Sequence, residues 1–397
     1  VPAFRLYQCI YLCKEEAMRN SRRGAVDPFI VMDVMEAARQ AEETGRRIIH
    51  MEVGQPGTPA PQAARDALQK SMQEQSLGYT VALGLPALRA RIAQLYGTWY
   101  DVDLDPKRVV VTPGSSGGFL LSFAAFFDAG DRIALGAPGY PSYRQIMHAM
   151  DIEAVEVQTS ATNRYQPTPQ DLGQVQFDGL MVASPANPTG TMLGKEALGA
   201  LIDLCGDRNA TFLSDEIYHG IEYEQKAVTA LQLSNDVVVI NSFSKYFSMT
   251  GWRVGWLVVP ETQVRQVERL AQNMFICSSH ASQIAALAAL DAIPELEANM
   301  AVYHRNRDLM LEGLPKAGFD RIAPPDGAFY VYADVSALTD DSRVFCHELL
   351  QNAGVAVTPG LDFDPVRGHQ TIRFSYARST EDIEEGLLRL AAYMAQR

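Results

Sequence analysis

Val237-Val238-Val239-Ile240-Asn241-Ser242-Phe243-Ser244-Lys245-Tyr246-Phe247-Ser248-Met249-Thr250-Gly251-Trp252-Arg253-Val254-Gly255 sets a short β-branched run directly before one lysine, several hydroxyl residues and one arginine. The run at 237–240 reads as an interior strand of a parallel sheet. Lys245 then falls just past the strand's carboxyl end, the edge where open α/β sheets bind ligands. A lysine held there and partly desolvated can form a Schiff base with a carbonyl cofactor. Most lone loop lysines are only solvated charges, so the surroundings must decide.

Working outward, short β-branched runs at 109–111, 133–135, 179–183, 211–213, 237–240 and 255–259 alternate with helical patterns at 119–127, 142–150 and 195–205. This alternation predicts an α/β fold whose mostly parallel sheet is covered on both faces. After Pro260 the pattern turns to long helical stretches at 261–274 and from 281 to about 314, and the last hundred residues mix strands and helices. The expected organisation is a large cofactor-binding domain at 51–290 and a smaller α/β domain built from 18–50 and 291–397. Residues 1–17 read as an N-terminal extension, with Met18 a candidate start.

The chain has 397 residues, enough for a large domain and a smaller one with real cores. A net charge of -13 argues against a nucleic-acid surface, which needs clustered Lys and Arg. The five cysteines lack paired metal spacing and suit a reducing cytoplasm, so no metal site is expected. No apolar run approaches the roughly 20 residues that cross a bilayer. A small-molecule enzyme of the cytoplasm is the expectation.

Three further loops fall at predicted strand ends: Thr112-Pro113-Gly114-Ser115-Ser116-Gly117-Gly118, Ser184-Pro185-Ala186-Asn187-Pro188-Thr189-Gly190, and Leu213-Ser214-Asp215-Glu216-Ile217-Tyr218. Singly, an Asp after a strand is usually a helix cap and an Asn-Pro usually a turn. Together with Lys245 they converge on one sheet edge. The chain resembles the class I/II aminotransferase family of fold-type I pyridoxal-phosphate enzymes, from about Asp27 to the C-terminus. The resemblance implies a seven-stranded-type sheet and pyridoxal 5'-phosphate as cofactor. It makes Lys245 the Schiff-base lysine, Asp215 the carboxylate facing the pyridine nitrogen, and Tyr218 and Asn187 the partners of the phenolic oxygen. It gives the phosphate to Ser115, Ser116 and Gly117 at a helix start near Gly117, with Ser242 and Arg253 completing the cradle. Tyr140 matches the aromatic that stacks on the ring. Tyr79 matches a tyrosine reaching the neighbouring subunit's phosphate, which implies a homodimer with shared active sites.

For the substrate, Arg373 in Thr371-Ile372-Arg373-Phe374-Ser375 matches the arginine that clamps the α-carboxylate, and Gly54 the small residue whose backbone meets the same group. The activity implied is transfer of an amino group from an L-amino acid to a 2-oxo acid, 2-oxoglutarate or pyruvate, by a ping-pong route. No Lys or Arg lies between Gly114 and Ala129, which favours neutral or apolar substrates.

Rival readings exist. A pyridoxal-phosphate lyase eliminating across Cα and Cβ, or at a C–S bond, would keep nearly all these residues. Gly114-Ser115-Ser116-Gly117-Gly118 fits the Gly-x-Ser-x-Gly elbow of α/β-hydrolases, with His369 as a recruit, but that leaves Asn187, Asp215, Lys245 and Arg373 unexplained. Ser242-x-x-Lys245 fits serine β-lactamases without their companion motifs. A regulator with a pyridoxal-phosphate domain would need a DNA-binding module that the acidic sequence does not show.

Overall fold

The structure is a computed structural model and describes residues 20–397. The expected extension at 1–17 and the candidate start at Met18 lie outside the described residues. Strands are numbered β1 (Ile49–His50), β2 (Val109–Thr112), β3 (Arg132–Ala137), β4 (Glu153–Gln158), β5 (Gly179–Ala183), β6 (Thr211–Asp215), β7 (Val238–Ser242), β8 (Gly255–Val258), β9 (Ile322–Ala323), β10 (Tyr330–Asp334), β11 (Val355–Ala356), β12 (Thr358–Pro359) and β13 (Thr371–Ser375). Helices are α1 (Ile30–Glu43), α2 (Gln62–Glu74), α3 (Pro86–Tyr100), α4 (Gly114–Phe126), α5 (Ser142–Ala149), α6 (Lys195–Asp207), α7 (Val264–Met274), α8 (His280–Ala289), α9 (Ile293–Lys316), α10 (Ser342–Glu348) and α11 (Thr380–Met394).

Seven strands form one sheet in the order β2-β8-β7-β6-β5-β3-β4. Only β8 runs antiparallel, to β2 and β7 on either side. Alternate residues of one strand enter opposite cores: Val109 and Val111 join one cluster and Val110 the other, and Phe212 parts in the same way from Leu213. Both faces of these strands are covered, which is why they read as unbroken apolar runs. α4 packs across β7 and β8 and against α7.

A smaller antiparallel sheet, β12-β13-β10-β9, carries the C-terminal part. N-terminal α1 and β1 join it, since β1 pairs in parallel with β11 and Ala38, Ala41 and Ile48 pack with Leu350 and Ala356.

Three details depart from the sequence reading. The helical stretch expected from 281 to 314 is two helices, because Pro294 occupies the first turn of α9 and cannot continue α8. β4 was not foreseen; its residues are mostly half-exposed and alternate too weakly to stand out. α4 starts at Gly114, where the chain turns with φ of +70°, rather than near Gly117. No described helix is long and apolar enough to cross a membrane.

Candidate active site

The carboxyl ends of β2, β5, β6 and β7 open on one cavity of about 280 Å³, closed from the other side by β10, β13 and the start of α1. Parallel strands place these ends together, so loops far apart in sequence meet there.

Lys245 follows β7 by three residues and points into this cavity, its Nζ donating to the Gly54 carbonyl at 2.6 Å. Burial, then the cations Arg373 and Arg253, push its amine down to about 7, against the opposing pull of Asp215. A large neutral fraction at neutral pH is what a nucleophilic lysine needs. Asp215 ends β6 with its carboxylate buried. One oxygen accepts from the Tyr143 hydroxyl and the other from the Ile217 N–H at 3.1 Å. Burial raises it to about 6, while the Tyr143 and Ile217 hydrogen bonds and Lys245 pull it down.

Arg373, in the middle of β13, is almost fully enclosed. Its guanidinium lies 4.4 Å from the Tyr330 ring centre and 4.7 Å from that of Phe363. It donates to Asn187 Oδ1 at 2.8 Å and to the Glu52 carbonyl, while its buried Nε has no partner among the described residues. Such an orphaned donor in a cationic fork is suited to an incoming carboxylate. Gly54 has a steric role as well as its carbonyl: a Cβ there would occupy the place of the Tyr330 hydroxyl. Tyr330 in turn meets the Tyr218 hydroxyl at 2.6 Å.

At the other end, Ser115 and Ser116 in the first turn of α4 line the cavity beside Arg253. A side chain at Gly114 would strike the Arg253 guanidinium, and one at Gly255 would meet the Ser115 backbone N–H at 3.1 Å. Glycine at both positions lets the helix start approach the arginine, making a seat for an anion. Arg253 is itself held by the Thr250 carbonyl at 3.0 Å and by Ser244 Oγ at 3.4 Å.

Lys245, Asp215, Tyr218, Asn187, Ser115, Ser116, Tyr140, Arg253, Gly54 and Arg373 thus share one cavity. Three expected residues do not line it. Ser242 is buried behind Ser244, donating to the Val254 carbonyl at 3.0 Å, and Ser244 is the hydroxyl that faces the cavity. Gly117 lies a turn deeper in α4, where a Cβ would press on the Pro113 ring at 2.6 Å. Tyr79 lies on the surface, 83% exposed. Tyr140 meets Phe29 and Tyr143 edge-on at ring separations of 5.8 and 5.2 Å. His369, the hydrolase recruit, does not line the cavity.

The sequence reading missed Tyr143, Tyr330, Ser244 and the α1 residues Val31, Met32 and Met35. Two of them carried a signal: Tyr143 stands in the same Tyr-Pro-Ser-Tyr loop as Tyr140, and Ser244 directly precedes Lys245.

Residues 46–390 match the family model for aminotransferase class I and II. This chain belongs to that family. It is a pyridoxal-phosphate-dependent aminotransferase. The valine–pyruvate aminotransferase of Mycobacterium tuberculosis is 47% identical over 95% of this chain and 98% of its own. Among solved structures, a putative aminotransferase from Silicibacter pomeroyi is 69% identical, covering 96% of this chain and 100% of that one with a TM-score of 0.92. The aspartate aminotransferase of Thermus thermophilus with maleate is 30% identical over 94% of this chain and 100% of its own, with a TM-score of 0.89. The seven-stranded, mostly parallel sheet with a smaller domain is the architecture of these aminotransferases.

The residues present fit the aminotransferase cofactor. A cationic seat rich in N–H donors, a buried carboxylate and a lysine with a depressed pKa all line the one cavity.

Proposed function

We propose that this aminotransferase takes its amino group from a neutral, apolar L-amino acid of the branched aliphatic kind and passes it to pyruvate, ahead of 2-oxoglutarate. The observation that carries this reading is the cavity wall beside Tyr140. It is built from Phe29, Val31, Met32 and Met35. Among the described residues the cavity's cations are Lys245, Arg253 and Arg373, and the α4 sequence supplies no other. A second carboxylate, as in aspartate, would lose its hydration against Met and Val with no partner. The likeness to the valine–pyruvate aminotransferase supports the same choice.

The geometry supports the following roles. Arg373 would receive the α-carboxylate, its plane already fixed between two rings, so little order is lost on binding. Ser115, Ser116, Ser244 and Arg253 would hold the cofactor phosphate. Asp215 would keep the ring nitrogen protonated, and Tyr218 and Asn187 would donate to the phenolic oxygen. The electron pair released at the substrate's α-carbon is accommodated by the conjugated ring of pyridoxal phosphate when it is bound. Lys245 Nζ would carry the proton away from that carbon, acting as base and then as acid near its depressed pKa.

The reading includes a homodimer in which Tyr79 reaches the neighbouring subunit's site. It keeps the large unit at 51–290 and the small one at 18–50 with 291–397, supported by the helix break at 290–292 and the β1–β11 pairing. The free Cys205, Cys277 and Cys346 support a cytoplasmic setting.

A donor and acceptor matrix tests the substrate class. With valine, leucine, alanine and aspartate set against pyruvate and 2-oxoglutarate, valine with pyruvate should give the highest kcat/KM, and aspartate should trail by about 100-fold or more. A preference for aspartate with 2-oxoglutarate would point to a cation contributed by the partner subunit and would overturn the apolar reading.

A further inference from the structure

Tyr330 stands at the first position of β10, with its ring and hydroxyl in contact with both halves of the site. Register pairs Tyr330 with Ser375 and Tyr332 with Arg373, so the β10–β13 ladder fixes where the Tyr330 ring lies over the arginine. The side chain is 1% exposed and packed edge-on against Phe329 at 5.1 Å and Tyr218 at 5.6 Å. Its hydroxyl occupies the space that a Cβ on residue 54 would fill, and it meets the Tyr218 hydroxyl at 2.6 Å. A buried hydroxyl held on three sides has little freedom to turn away, so this hydrogen bond is built into the fold.

We propose that Tyr330 is a positioning residue for Tyr218: its hydroxyl donates to the Tyr218 oxygen and leaves the Tyr218 proton directed into the cavity. This rests on the reading that Tyr218 faces the phenolic oxygen of the cofactor. Each hydroxyl has one proton, so the direction of the pair decides whether Tyr218 is a free donor. Arg373 sets that direction. Its guanidinium lies over the Tyr330 ring and favours loss of the Tyr330 proton. Burial raises both hydroxyls and Arg373 opposes it at both, but at Tyr330 Arg373 is the first group to do so, whereas at Tyr218 it ranks behind the neighbouring Tyr330, which adds to the rise. The more acidic hydroxyl is the better donor, and accepting its proton makes Tyr218 a stronger donor in turn.

The test is the visible-absorbance pH titration of the cofactor-loaded protein, followed without substrate. The charged and titratable groups facing Tyr218 are Tyr330, Arg373, Tyr140 and Lys245, with Asp215 beyond Lys245. All but Tyr330 are unchanged in Tyr330→Phe, which also keeps the ring over Arg373 and the volume beside Gly54. The lysine-linked cofactor holds its proton more tightly when its phenolic oxygen loses a donor. Tyr218→Phe should therefore raise the midpoint, Tyr330→Phe should raise it less, by about threefold in proton affinity, and the double variant should match Tyr218→Phe alone. An unmoved or lowered midpoint in Tyr330→Phe, or additive shifts in the double variant, would overturn the inference while leaving the Tyr218 assignment intact. A Tyr218→Phe midpoint equal to wild type would instead overturn that assignment and this inference with it.

Discussion

Asp215 has a carboxylate that burial has pushed up to about 6, held by Tyr143 and by the Ile217 N–H. That environment disfavours the charge unless a cation lies beside it, and a protonated ring nitrogen is such a cation. In a poorly solvated site the pair would interact by several kcal/mol, which an uncharged amide of the same shape cannot supply. Asp215→Asn should therefore retain bound cofactor, seen by its visible absorbance, while kcat falls by about 100-fold or more, near 3 kcal/mol of transition-state stabilisation. Near-normal kcat would reduce Asp215 to a structural acid for Tyr143 and residue 217. Its place at a strand end was legible in the sequence, and although a lone acid there usually caps a helix, its company with Lys245, Asn187 and the Ser115 loop pointed to a shared site. Its hydroxyl partner was not legible, since Tyr143 reaches it from α5, which only packing brings close.

Among the elements, α1 is the one whose function the sequence hid. Its first turn has no side-chain cap of its own; the Asp362 carboxylate supplies one from far along the chain, accepting from the Ile30 N–H at 3.0 Å and the Val31 N–H at 3.2 Å. That capped end delivers Phe29, Val31 and Met32 to the cavity. The other end of α1 is tied to β1 through His50, whose ring nitrogens meet Glu52 at 2.8 Å and Glu42 at 3.0 Å. Glu52 first, then Glu42, hold His50 up at about 9 against the lowering effect of burial. Because the folded value lies above the ordinary 6.5, this contribution is fully present below pH 6.5 and is lost as pH rises through about 9. Lys245 slopes the other way, gaining stability as pH climbs from about 7 towards 10.5, but it is common to both proteins in a comparison. His50→Gln should thus cost on the order of 1–2 kcal/mol at pH 6, less than the shift alone implies because the ring edge is hydrated. The deficit should vanish near pH 10. Urea unfolding at the two pH values measures it, and a deficit independent of pH would show that His50 acts only by packing.

At the scale of the whole molecule, Tyr79 is the residue that the single chain leaves unexplained. It is 83% exposed with Val81 nearby at 58%, in the loop whose Gly78 carbonyl meets His280 of α8 at 2.9 Å. An exposed aromatic beside an exposed valine suits an interface between copies, as in the proposed homodimer in which each Tyr79 would reach the other site. Mixing Tyr79→Phe chains, once shown to be severely impaired, with Lys245→Ala chains should restore up to about a quarter of wild-type activity. Half of the dimers are then mixed, and each holds one intact site. No recovery from verified mixed dimers would return Tyr79 to its own chain's surface. The sequence by itself determined the βα alternation and the strand-end loops, on which the family resemblance picks out Lys245, Asp215, Asn187 and Arg253. The alternation and the loops follow from short-range pattern, and parallel strands bring their carboxyl ends to one edge whatever else the chain does. Only the tertiary structure decided that Ser244 rather than Ser242 faces the cavity, that Gly54 makes room for the Tyr330 hydroxyl, and that α1 walls the substrate side. The first rests on the turn that brings Arg253 and Val254 back to the two serines, and the other two on segments far apart in the chain meeting at a distance set by sheet register and core packing, which no local periodicity records.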